Sequence, residues 1–117
     1  MLIANYYTVL GCDRQDERTF QFRFTLNPGS DVYRGHFPGN PVAPGVCTLQ
    51  MVKECLQSIL RRDSLRLSQV RQCRFSRLLR PSDKQLELSI RLSDDQWFTA
   101  EITEEGQVCM KIKAKYN

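Results

Sequence analysis

The residues of this chain that could do chemistry are few and crowded together. Its single histidine, His36, stands in Gly35-His36-Phe37-Pro38-Gly39-Asn40-Pro41-Val42-Ala43-Pro44-Gly45-Val46, with three prolines and three glycines in twelve residues. Imidazole is the only group there that titrates near neutral pH. Each proline fixes φ and removes a donor, and each glycine allows close backbone approach. A loop so constrained, leading into a helix start, can hold a base rigidly beside free backbone amides that suit a developing oxyanion. A generic proline-rich connector with a structural or solvated histidine has the same composition. Further on, Gln50, Glu54 and Gln57 follow one another at i, i+4 and i+7, on the flank of an apolar helical face. Glutamine can hold a hydroxyl by hydrogen bonds but cannot deliver a proton, whereas glutamate can. A polar helical strip is more often just the wet side.

The rest of the composition narrows the class. The chain has 117 residues, enough for one domain spanning 1–117 and not for two. Five cysteines (Cys12, Cys47, Cys55, Cys73 and Cys109) are an odd number without paired spacing, and there is no C-x-x-C. Reduced, mostly buried thiols in a cytoplasmic protein are therefore expected, with no metal site and no cofactor. The start, MLIANYYTVLGCD, has neither a basic segment nor a long apolar run, so no secretion signal and no membrane span are expected. The net charge of +4 is concentrated. Arg61, Arg62, Arg66, Arg71, Arg74, Arg77 and Arg80 meet one acid, Asp63, between positions 61 and 80. Such a band suits an acidic partner. Nucleic acid is disfavoured, because no aromatics are spaced along the band for base stacking. A solvated arginine face accounts for the band equally well.

The elements that must position these residues are mostly strands. Phe20, Phe22, Phe24 and Leu26 alternate with polar residues, and Asn27-Pro28-Gly29-Ser30 breaks the run. Leu86 to Leu92, Phe98 to Ile102 and Val108 to Ala114 alternate likewise, and a weaker alternation predicts a strand over 70–79. Only one segment has the helical period. From Pro44 to about Arg62, Val46, Leu49, Val52, Leu56, Ile59 and Leu60 recur at about 100° per residue. It starts at Pro-Gly without a Ser or Asp cap, so the amides of Gly45 and Val46 have no obvious side-chain partner. One helix against one antiparallel meander is an α+β arrangement.

At the loop the pattern becomes specific. His36-Phe37-Pro38-Gly39-x-Pro41-x-x-Pro44-Gly45-Val46 closely resembles the signature of the hot-dog-fold (3R)-hydroxyacyl-acyl-carrier-protein dehydratases of fatty acid synthesis. Arg74-Phe75-Ser76-Arg77, then Pro81-Ser82-Asp83 and Gln85-Leu86, is similar to that family's Arg-Phe strand and Pro-Gly-Asp turn, with Ser82 where glycine is usual. The likeness covers roughly residues 20–92. It implies an antiparallel sheet wrapped around one central helix. It also implies a site in which Phe37, Gly39, Pro44, Gly45, Val46 and Phe75 line the path of a phosphopantetheine thioester. His36 is then the general base at the α carbon, and amides near Gly45 and Val46 hold the thioester oxygen. In the family a helix carboxylate, offered across a dimer interface, protonates the leaving hydroxyl.

This chain departs from that pattern at the acid. Gln50 occupies the position that is normally Glu or Asp, and Glu54 stands one turn later, where relatives often carry glutamine. Three readings follow: Glu54 has taken over as acid; the chain is a non-catalytic hot-dog subunit paired with an active one; or the scaffold serves another thioester reaction, such as hydrolysis. The first is the expectation carried forward, as a homodimeric dehydratase acting on substrates borne by acyl carrier protein, with the arginine band as docking surface.

Overall fold

The computed structural model describes residues 5–33 and 43–117. Its strands are β1 (Tyr7–Arg14), β2 (Thr19–Leu26), β3 (Leu67–Phe75), β4 (Leu86–Leu92), β5 (Trp97–Glu104) and β6 (Gln107–Tyr116). They form one antiparallel sheet in the order β1-β2-β4-β5-β6-β3. The only α-helix among the described residues, α1 (Gly45–Leu60), lies between β2 and β3 in the chain.

Alternation explains the four inner strands. Phe22, Leu88, Ile102, Met110 and Phe75 are register partners in turn across β2, β4, β5, β6 and β3. They make one continuous apolar rung, and Phe24, Leu86, Ile90, Ala100 and Ile112 extend the buried face beside it. Against that face α1 places Thr48, Met51, Val52, Cys55 and Leu56, all buried. The expected antiparallel sheet around one central helix is therefore present. The helical stripe is rotated from the sequence reading: Met51 and Cys55 join the core, while Val46 is 76% exposed. Val46 sits in the first turn, beside Gly45 and turned to solvent.

Two strand assignments change. The strand expected over 70–79 runs from Leu67 to Phe75, and Leu79 is buried beyond its end. β1 has no counterpart in the sequence reading. Both are edge strands with mostly exposed residues, so neither carries a strong two-residue signal. Each is also irregular, β1 between Val9 and Gly11 and β3 at two places, which interrupts the alternation.

Local chemistry closes the turns. Glu105 and Gly106 both take positive φ, 51° and 81°, as a two-residue hairpin between β5 and β6 requires. The helix ends with Arg61 in the left-handed region at φ 56°, where glycine is usual, and Arg62 N–H reaches back to the Gln57 carbonyl at 3.0 Å. Leu56, fully buried at the helix–sheet contact, tests the arrangement. Leu56→Ala is expected to cost about 2–5 kcal/mol in urea unfolding. A loss below about 1 kcal/mol, the level of an unremarkable surface change, would mean that the helix does not bury this stripe.

Candidate active site

The first helical hydrogen bond of α1 runs from Thr48 N–H to the Pro44 carbonyl at 3.1 Å. The amides of Gly45, Val46 and Cys47 precede it and so have no partner within the helix. Pro44, extended at φ −64° and ψ 140°, is the N-cap and supplies no side-chain acceptor. The positive end of the helix dipole is thus offered to an acceptor from outside. Thr48 Oγ1 also bonds the Pro44 carbonyl, at 3.2 Å, and shares a hydrogen with Tyr6 Oη at 3.1 Å. Burial raises the Tyr6 phenol well above its ordinary value, which keeps it neutral. Ala43 N–H donates to the Leu79 carbonyl at 2.7 Å, which ties the approach to the helix to the segment after β3.

Phe75 ends the inner rung on the edge strand, and its ring lies over Gly45. A Cβ on Gly45 would stand 3.3 Å from the Phe75 ring. Glycine is therefore what lets the helix start sit against the strand. Between them is a cavity of about 190 Å³, lined in part by Ala43, Gly45, Thr48, Phe75 and Leu78. Phe75 and Leu78 remain 47% and 70% exposed, an apolar rim around uncapped amides. The sequence-derived residues Pro44, Gly45 and Phe75 are thus brought together, with Val46 exposed next to them. His36, Phe37 and Gly39 lie outside the described residues.

Gln50 and Glu54 are also brought together, farther along the helix. Gln50 Nε2 donates to Glu54 Oε2 at 3.3 Å, and Tyr7 Oη donates to Glu54 Oε1 at 2.8 Å. Tyr7 was missed with its strand, since only the pairing of β1 with β2 brings it to the helix. Burial, then Cys55, then the hydrogen bond to Glu54 raise the Tyr7 phenol above its usual range. Cys55, behind the same strip, is pushed up to about 12, chiefly by burial. Glu54 also borders a second groove, of about 510 Å³, with Gln57, Arg61 and Asp63 at the other end of the helix. At 1.5 Å per residue, Gln50 and Glu54 lie about 7.5 and 13.5 Å along the axis from Gly45.

The seven arginines are all exposed, along and beyond the β3 edge. Arg71 stacks over Trp97 at 4.4 Å and Arg62 over Tyr116 at 5.8 Å. Among the described residues, no group of three His, Cys, Asp or Glu could hold a metal ion, and no helix is long and apolar enough to cross a membrane.

Comparison with known proteins finds dehydratases similar in sequence and in fold. A family model for the ApeI-like proteins, described as ApeI dehydratase, matches residues 12–113. The 3-hydroxyacyl-acyl-carrier-protein dehydratase FabZ of Levilactobacillus brevis is 30% identical over 100 aligned residues, covering 70% of this chain and 62% of the relative. That of Lactiplantibacillus plantarum is 29% identical over 100, covering 70% and 63%. The chain thus spans less than two thirds of the length of these relatives. A chain of the ApeI:P dehydratase heterocomplex from Xenorhabdus doucetiae superposes with a TM-score of 0.81 at 24% identity, covering 93% of this chain and 96% of that one. The dehydratase domain from the CurK module of curacin polyketide synthase gives 0.66 at 17%, over 99% of this chain and 44% of that one. These structural likenesses establish the hot-dog fold.

The contact between Gly45 and Phe75 yields a direct test. Alanine at this first helical position must displace a half-exposed ring by a few tenths of an ångström. Gly45→Ala is expected to change stability by no more than about 1 kcal/mol, the scale of the helix-propensity gain, while shifting the Phe75 ring resonances in NMR spectra. Unmoved Phe75 resonances would contradict the packing.

Proposed function

The chain belongs to the ApeI-like dehydratase family, and from that premise we propose that it removes water from 3-hydroxyacyl thioesters carried on acyl carrier protein. The observation that supports this reading most is the uncapped start of α1 under the Phe75 ring. It presents backbone amides at an apolar opening, as the enolate oxygen of a thioester requires. In the proposed reaction His36 takes the α proton, and electron density moves to the thioester oxygen held by the amides near Gly45 and Val46. The Cα–Cβ double bond forms as the Cβ–O bond breaks. Gln50 binds the departing hydroxyl, and Glu54 gives it the proton with which it leaves as water.

The separation of the helix start from Glu54 supports a site shared between protomers, in which the polar strip of one helix serves the loop of the other. A homodimer is the simplest such assembly. The acidic carrier protein would meet the exposed arginines along the β3 edge. No metal or organic cofactor enters this reading, and a cytoplasmic location suits it. Gln50 in the usual acid position favours a second reading, a non-catalytic subunit paired with an active dehydratase. A thioesterase, the third possibility, would release free thiol.

Active-site substitutions separate the dehydratase from the non-catalytic subunit. With a 3-hydroxyacyl thioester, His36→Ala is expected to abolish turnover in a folded protein. Glu54→Gln is expected to lower it about 10²-fold or more, the scale of general acid catalysis. Wild-type inactivity together with activity created by Gln50→Glu would establish the non-catalytic subunit instead. For docking, replacing Arg71 and Arg74 by Glu should slow turnover of carrier-bound substrate and flatten its salt dependence, while a small pantetheine substrate is spared. Equal losses on both substrates would rule out the band as the docking surface.

A further inference from the structure

The polar strip of α1 is tied to the opposite edge of the sheet from the arginine band. Tyr7, the first residue of β1, reaches Glu54 across 47 positions of sequence and donates to Oε1 at 2.8 Å. A phenol has one hydrogen to give, and here it is committed to that oxygen. Tyr7 is half-buried and its ionisation is held off by burial and by the neighbouring carboxylate, so it remains a donor at neutral pH. With Oε1 occupied, Oε2 is the oxygen that faces Gln50, whose Nε2 donates to it at 3.3 Å. Helical side chains lean toward the helix N-terminus, so this is also the direction in which Glu54 reaches most easily. The Gln50 amide is oriented in turn: its NH₂ is turned to the carboxylate and its carbonyl Oε1 away from it.

We propose that Tyr7 is a positioning residue for the reacting pair. By holding Glu54 Oε1 it directs Oε2 back one turn toward Gln50, and so orders both the amide that binds the substrate hydroxyl and the oxygen that returns a proton. This rests on the roles assigned above to Gln50 and Glu54. It also accounts for how a carboxylate one turn late can serve a site centred on Gln50: the backbone offset of about 6 Å is bridged by the side chain, and a strand residue prevents it from swinging out into solvent. Tyr7 keeps its own proton throughout; the proton delivered is that of Glu54.

The test is Tyr7→Phe, which removes the hydroxyl and keeps the ring. The Gln50 side-chain amide pair, identified in NMR spectra by its loss in Gln50→Ala, is expected to shift in Tyr7→Phe. In turnover of a 3-hydroxyacyl thioester, kcat should fall about tenfold with KM little changed, the loss of one hydrogen bond that positions Glu54. In a Glu54→Gln background the same substitution should lower nothing further, because Tyr7 acts through the carboxylate. An unmoved Gln50 amide, or an equal loss on top of Glu54→Gln, would overturn the role. Absence of turnover in the wild type would count against the dehydratase reading instead, and the amide shift would then decide alone whether Tyr7 orders the pair.

Discussion

One helix has one sheet face to bury against, and everything else in the molecule is arranged by that contact. Met51, Val52, Cys55 and Leu56 cover the inner rungs of a six-stranded sheet. No second α-helix among the described residues shares the load. Burial of such side chains contributes roughly 1.5–3 kcal/mol each, so the helix cannot slide or rotate without giving up a large part of the core. Its start and its polar flank are therefore fixed in space by residues that do no chemistry themselves.

Two consequences follow at the two ends of the helix. At the start, the rung that begins with Phe22 ends with Phe75 on the open edge, and Gly45 lets the helix rest against that ring. The uncapped amides thus open beside a cavity lined in part by Phe75, Leu78 and the exposed Arg77. Farther along, the polar flank is reached by β1, whose Tyr7 engages the same carboxylate as Gln50. Gln50 and Glu54 are thereby one hydrogen-bonded unit with Tyr7.

How much of this could be read beforehand depended on burial. β2, β4, β5 and β6 alternate because one face of each is dry, and α1 shows its period because its stripe is buried. β1 and β3 are edges with little to hide: Val9, Leu10 and Val70 are all at least 44% exposed, and bulges break their alternation. For that reason β1 carries no two-residue signal, and the weak alternation puts β3 several residues too late. The loop motif and Arg74-Phe75 were legible because their residue types are unusual together. That Gly45 and Phe75 would touch is a matter of strand order, which no local pattern encodes. Tyr7 was hidden twice over, as an ordinary tyrosine on an unread strand whose partner lies on the helix.

The arginine band completes the electrostatic picture without entering the core. Arg71 and Arg74 lie on the β3 edge, remote from β1, whereas Arg61 and Arg62 at the end of α1 border the same groove as Glu54. The activity proposed for this chain is the elimination of water from a carried 3-hydroxyacyl chain. Its most direct test is intact mass spectrometry of an acyl carrier protein loaded with that thioester, before and after incubation with this protein. The loaded carrier is expected to lose the mass of one water. An unchanged carrier, or one stripped to its free thiol, would contradict it.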